Sequence, residues 1–367
     1  MAGASAVSML SYKAPRWAAK LKNMPASFIK LAHRPTPIQE WQLDEAMEPF
    51  KLYIKRDDQT GNLLSGNKVR KLEFILADAI LKGSSCVITC GGLQSNHCRA
   101  TAVAARRLGL KCHLLLRSHN LEEDAKVVTG NMLLNRIHGA KCHIVKYQSL
   151  AGGLNAKMLQ LAEELKKQGE IPYIIPLGGS NNLGTFGIIS SFLELMEQDV
   201  LKNFDDIVLA TGSGGTLAGL AVANYLTGEK LRVHGVCVSD DADYFYKFIE
   251  ENLLTYGMKR AKARQICDVI EGYKQPGYSK TTPEDLDLLV TICQQSGILL
   301  DYAYTLKAVK GMLAEMKTNP SRFKGNRVLY IHTGGTFSIF DGTVNDILKQ
   351  RSENIHVWND DEISEQK

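Results

Sequence analysis

Asp206-Ile207-Val208-Leu209-Ala210-Thr211-Gly212-Ser213-Gly214-Gly215-Thr216 passes from an apolar run into glycines and then into an Ala/Leu-rich stretch. Several successive apolar or β-branched residues read as a strand covered on both faces, the habit of a parallel sheet. The glycines read as the turn that opens the next helix. One such unit needs neighbours of its own kind, and the chain supplies them. Strand-like runs recur at Leu52–Lys55, Cys86–Cys90, Cys112–Leu116, Cys142–Lys146, Tyr173–Pro176, Val233–Val238 and Val328–His332. Helical patterns fall at 70–82, 96–108, 153–168, 184–200, 215–227, 241–256, 283–296 and 303–317. This alternation predicts an α/β protein with twisted, mainly parallel sheets covered by helices on both faces. A length of 367 residues suggests two domains or one large α/β unit.

In such sheets ligands bind beyond the C-terminal ends of strands, where helices begin. Glycines 212, 214 and 215 let the backbone approach an anion, and the helix start offers N–H donors, with hydroxyls at Ser213 and Thr216. The loop is not G-x-G-x-x-G, and no acid about 20 residues on stands ready for a ribose. A single phosphate fits it better than a dinucleotide, and the dehydrogenase reading falls with the fingerprint. A second loop, Gly91-Gly92-Leu93-Gln94-Ser95-Asn96-His97, puts Ser95 and Asn96 at a helix start, as caps or as ligands. His97 reads as a solvated side chain more readily than as a base. A third stretch, Ser65-Gly66-Asn67-Lys68-Val69-Arg70-Lys71-Leu72-Glu73, centres on Lys68. At a helix start the unpaired N–H groups and the positive dipole end disfavour an ammonium, so a neutral, nucleophilic amine is easier to reach. A surface lysine is the plain alternative. A nucleophilic lysine, a monophosphate cradle and a polar helix start together point to pyridoxal phosphate.

Composition narrows the class. Residues 1–39 hold six Lys/Arg and no acid, so the net charge of +5 is local and the remainder balances 38 basic against 39 acidic residues. A general nucleic-acid surface is not expected. Apolar runs stay well short of a membrane span. The eight cysteines form no C-x-x-C pair and read as buried free thiols of a reducing compartment, and a metal site has little support. The basic N-terminus reads as a flexible tail, or alternatively as a mitochondrial presequence.

The stretches 65–73, 91–97, 212–216 and His332-Thr333-Gly334-Gly335 resemble the D-cysteine desulfhydrase and 1-aminocyclopropane-1-carboxylate (ACC) deaminase family, of the tryptophan-synthase-β-like fold (fold type II of the pyridoxal phosphate enzymes). The similarity runs from about Leu31 to Asp341, and 52–58 and 204–208 look most like the eukaryotic desulfhydrases. The resemblance implies a large domain of residues 1–70 plus 183–367 and a small domain of 71–182. Residues 1–30 and 358–367 are expected to be flexible tails, and the molecule a homodimer in the cytoplasm. It makes Lys68 the Schiff-base lysine and proton carrier, and gives Asn96 to the cofactor's 3-oxygen. Ser95 would take the substrate carboxylate or help with proton traffic, and Gly212, Ser213, Gly214, Gly215 and Thr216 the phosphate. Tyr278 and Tyr304 match the family's substrate-side tyrosines. Thr305 stands where ACC deaminases carry a glutamate facing the pyridine nitrogen; a hydroxyl holds that proton less firmly, which suits a good leaving group such as hydrosulfide. Tyr302, Ala303 and Leu306 depart from the family pattern and are expected to reshape the pocket beside the cofactor. The implied reaction is β-elimination of D-cysteine. ACC deamination, another D-amino-acid lyase or racemase activity, and a silent cofactor-binding protein are the alternatives.

Overall fold

The computed structural model describes residues 8–43, 48–147, 153–277, 279–351 and 355. A short antiparallel hairpin, β1 (Met9–Ser11) and β2 (Ser27–Ile29), leads into β3 (Ile38–Glu40), β4 (Lys51–Lys55) and the helix α1 (Lys68–Leu81). The next units are β5 (Cys86–Gly92), α2 (Asn96–Arg107), β6 (Lys111–Ser118), α3 (Leu121–Asp124), α4 (Gly130–Ile137), β7 (Lys141–Lys146), α5 (Asn155–Lys167) and β8 (Pro172–Ile174). Then come α6 (Asn182–Glu197), α7 (Val200–Asn203), β9 (Asp206–Thr211), α8 (Gly215–Leu226), β10 (Arg232–Cys237), α9 (Ala242–Thr255), α10 (Ala263–Ile266) and β11 (Asp268–Ile270). The chain closes through α11 (Pro283–Ser296), α12 (Thr305–Thr318), β12 (Arg327–Ile331) and α13 (Asn345–Gln350).

Two sheets result. The smaller, ordered β7-β6-β5-β8, is parallel throughout. The larger, ordered β11-β10-β9-β12-β4-β3, is parallel except for the edge pair β3–β4. Each strand and helix read from the sequence has its counterpart. The central strand β9 is buried at every residue, so both faces of the large sheet carry apolar cores: one under α6, α8 and α9, the other under α11 and α12.

Helix α1 is held hard against its neighbours. At Gly187 of α6 a Cβ would lie 2.1 Å from the Arg70 carbonyl oxygen, and at Gly219 of α8 a Cβ would lie 2.5 Å from the Ile188 Cβ. Only glycine permits this depth of approach. A buried ionic cluster then fixes rotation: Arg70 donates to Asp57 at 2.8 and 2.7 Å and to Glu194 at 2.9 and 3.1 Å, and Lys55 meets the same Glu194. Glu73 accepts from the backbone of Leu31 and Ala32 at 2.8 and 2.9 Å. The first turn of α1 therefore has little freedom to move.

The N-terminal expectation needs correction. Residues 8–30 are not a loose tail: β1 and β2 pair, and Ala18, Leu21 and Ile29 sink into the core while the lysines stay outside. The tails at 1–7 and 358–367 lie outside the described residues. All eight cysteines are free thiols, six of them buried.

Candidate active site

A cleft of about 360 Å³ opens where the C-terminal ends of the two sheets face each other. Its walls come from the loops after β5 (Ser95 to His97), β8 (Leu177, Gly178), β9 (Thr211 to Gly214), β10 (Ser239, Asp240) and β12 (Thr333 to Gly335), and from the start of α1. This is the position expected of a ligand site in open parallel sheets.

One end of the cleft is a cradle for an anion. The turn 212–214 leads into the N-terminus of α8, whose cap Gly214 has φ +78°. A Cβ at Gly215 would meet Ser180 Oγ at 2.7 Å and Lys71 Nζ at 2.8 Å, so the absent side chain is what leaves the space. Lys71 Nζ donates to Ser180 Oγ at 3.0 Å and to the Gly178 carbonyl at 3.4 Å, and Ser180 Oγ lies 2.8 Å from Ser213 Oγ. Asn67 Nδ2 donates to Thr216 Oγ1 at 2.9 Å, which leaves the threonine proton to be given elsewhere. Burial, and then the charge of Lys68, push the Lys71 ammonium well below its ordinary pKa. A bound dianion would reverse that cost. Sequence reading passed over Lys71, although its i, i+3 spacing from Lys68 puts both on one face of α1.

Lys68 is the first residue of α1 and its side chain enters the cleft beside the cradle. Its Nζ stands 3.4 Å from the Gly178 carbonyl, and burial lowers its pKa to about 8, with Cys98 pulling the other way. The helix start is the cause expected from the sequence; burial is the largest effect found. A half-buried amine with an appreciable neutral fraction near pH 7–8, next to a phosphate cradle, is the arrangement a Schiff base needs.

Comparison with known proteins agrees. Residues 29–334 match the family described as pyridoxal-phosphate dependent enzyme. The chain belongs to the pyridoxal-phosphate dependent enzymes. It is 44% identical over 90% of its length to the mitochondrial bifunctional D-cysteine desulfhydrase/1-aminocyclopropane-1-carboxylate deaminase of Arabidopsis thaliana, of which 83% is covered. It is 41% identical over 85% of its length to a putative 1-aminocyclopropane-1-carboxylate deaminase of Thermotoga maritima, of which 97% is covered. The crystal structure of an ACC deaminase homologue superposes with a TM-score of 0.78 at 33% identity, covering 92% of this chain and 99% of the other. The fold is thus the two-domain α/β architecture of this family.

The remaining walls fit a pyridoxal phosphate. Ser95 caps α2, its Oγ accepting from the Cys98 N–H at 3.2 Å, so it is both a cap and a lining residue. Asn96 lines the cleft with its Oδ1 accepting from Asn131 Nδ2 at 2.9 Å. Tyr304 packs its ring against the phosphate turn, 3.0 Å from where a Cβ on Gly212 would sit. The structure thus gathers Lys68, Ser95, Asn96, Gly212, Ser213, Gly214, Thr216 and Tyr304 in one cleft, with Gly215 directly behind. Tyr278 lies outside the described residues.

Other expectations change. His97 is buried, not solvated: its Nε2 meets Thr89 Oγ1 at 2.9 Å, and burial with Lys68 and Lys71 pushes its pKa well down. A histidine kept neutral there does not act as a charged acid. Thr305 is fully buried and lies outside the cleft lining; its Oγ1 donates to Asp301 Oδ1 at 2.7 Å and accepts from the Asp301 N–H at 2.6 Å. The three departures from the family pattern do not line the cleft either. Tyr302, Ala303 and Leu306 belong to the apolar core under α12, and Tyr302 hydrogen-bonds Asp341 at 2.5 Å.

Proposed function

We propose that this enzyme eliminates hydrosulfide from D-cysteine, giving hydrogen sulfide, pyruvate and ammonia. The observation that carries the reading is Lys68: a half-buried amine whose pKa is lowered to about 8, within one cleft with the phosphate cradle and with Ser95 and Asn96. Pyridoxal phosphate supplies an aldehyde for the lysine and an electron sink conjugated to the substrate α-carbon. Lys71, Ser180, Ser213, Thr216 and the N-terminus of α8 hold the phosphate. Asn96 takes the ring oxygen, while Ser95 and the first turn of α2 take the substrate carboxylate. Lys68, in the same cleft as the cradle, would bind the aldehyde and, as a free amine, would be the base that takes the α-proton. Tyr304 borders the substrate side of the cleft, and the resemblance gives Tyr278 a substrate-side role as well.

Desulfhydration is favoured over opening of an unactivated ring because the position after Tyr304, where the resemblance puts a group at the ring nitrogen, holds Thr305, buried outside the cleft. Its hydroxyl is committed to Asp301 and offers no carboxylate to hold a proton on the ring nitrogen. The sink is then weaker, which suffices for a good leaving group. The name of the Arabidopsis relative keeps ACC as the second reading. Incubating the purified enzyme with D-cysteine, L-cysteine and ACC decides: sulfide with pyruvate from D-cysteine supports the proposal, and 2-oxobutyrate from ACC without sulfide overturns it. We further take the chain to be a homodimer, so light scattering should return twice the chain mass. We take its compartment to be the cytoplasm, with the mitochondrion as the alternative; among the described residues no helix is long and apolar enough to cross a membrane.

A further inference from the structure

We propose that Asn131, which does not line the cleft, is a positioning residue that aims the amide of Asn96, and that Arg99 couples this amide to the loop leading into Lys68. The proposal rests on the reading of Asn96 as the donor to the cofactor's ring oxygen. Asn131 is fully buried at the start of α4, and its amide is flanked by two groups with one role each. Arg99 Nε–H can only donate, and it does so to Asn131 Oδ1 at 3.1 Å. The Gln94 carbonyl can only accept, and it takes Asn131 Nδ2 at 2.9 Å. Together they fix which end of the Asn131 amide is oxygen. The second Nδ2 proton goes to Asn96 Oδ1 at 2.9 Å. Asn96 must then present its oxygen to Asn131 and keep its NH2 for the cleft it lines.

The surroundings leave this pair few alternatives. The Asn131 N–H donates to Gln94 Oε1 at 2.7 Å, while Gln94 Nε2 reaches the Thr129 carbonyl at 3.2 Å. Gly130, at φ +54°, lets the chain pass there: a Cβ would stand 2.4 Å from Gln94 Oε1. Arg99 is also fully buried. Its other nitrogens donate to the carbonyls of Leu63 and of Ser65, and its guanidinium lies 5.0 Å from the Phe337 ring centroid. One arginine therefore ties α2 and α4 to the residues just ahead of Lys68. A donor facing the ring oxygen favours its anionic form, whereas a carbonyl there would repel it. Asn131 thereby sets the protonation of the cofactor ring from outside contact range.

Asn131→Leu and Asn131→Asp keep the side-chain size and donate nothing to Asn96; the aspartate has Arg99 as its counter-ion. Two quantities are read on each variant: the dissociation constant for pyridoxal phosphate, and the pH midpoint of the absorbance change of the lysine-bound cofactor. Each variant should bind the cofactor about tenfold more weakly and raise the midpoint by about one unit. Asn96→Ala should do the same, and adding Asn131→Leu to Asn96→Ala should change little more. Melting curves identify a variant that fails to fold, in which case Asn131→Ala makes the same measurement. Folded Asn131 variants with wild-type affinity and midpoint overturn the proposal if Asn96→Ala shifts both. Effects that add in full in the double variant assign Asn131 a purely structural role and overturn it as well. If Asn96→Ala moves neither quantity, the reading of Asn96 fails and takes this proposal with it.

Discussion

Two lysines on one face of α1 divide the work. In the proposed function Lys68 supplies the amine, and Lys71, buried against Ser180 and Gly178, would supply the charge for the phosphate. Lys71→Gln should weaken binding of pyridoxal phosphate about tenfold or more, the scale of a lost hydrogen bond to a charged group. Equilibrium dialysis with pyridoxal, which lacks the phosphate, should show little change. Lys68, Ser95, Asn96 and the glycines of 212–216 could be picked out as positions because each stands in a short motif, while the roles of Ser95 and Asn96 came from the resemblance alone. Thr305 was legible as a position but not in its surroundings, since Asp301 claims its hydroxyl through a turn that spacing does not reveal. Asn131 was not legible at all: its role depends on a partner 35 residues away.

At the level of elements, the cradle works because α8 begins where the sheet ends and carries no side chain at Gly215. Gly215 has no positive φ, so Gly215→Ala should fold, but its methyl would press on Ser180 and Lys71. Cofactor affinity should fall, with the melting temperature of the cofactor-free protein changed far less; titration and thermal melts of the same variant check both. Strands with long apolar runs were plain in the sequence. The three-residue strands β1, β2, β3 and β11 were not, because so short a run carries no period. Helix α4 was missed for the same reason at eight residues, and with it the element that holds Asn131.

Across the molecule, stability and catalysis draw on different ionic groups. His234 sits fully buried between Asp206 and Asp268, at 2.8 Å from each. Burial opposes its charge, but the two carboxylates outweigh burial and raise its pKa. Its stabilising share is therefore complete below about pH 6.5 and lost as pH rises through the raised value. Glu194 runs the other way: burial raises it, yet Arg70 and Lys55 hold it at about 2, so its share is lost as pH falls from about 4.5 toward that value. His234→Asn should lower the unfolding free energy by about 3 kcal/mol at pH 6 and by less at pH 9. Denaturant titrations at both pH values measure the difference, and turnover per folded molecule should stay near wild type.

In the proposed function Lys68 is the group through which the cofactor is held and the α-proton moves. Purified Lys68→Ala enzyme, loaded with pyridoxal phosphate and given D-cysteine, tests it in one cuvette. The wild type should show the absorbance band of a lysine-bound cofactor and release sulfide with pyruvate; the variant should show neither the band nor sulfide. A variant that keeps both, or a wild type that has neither, would contradict the account.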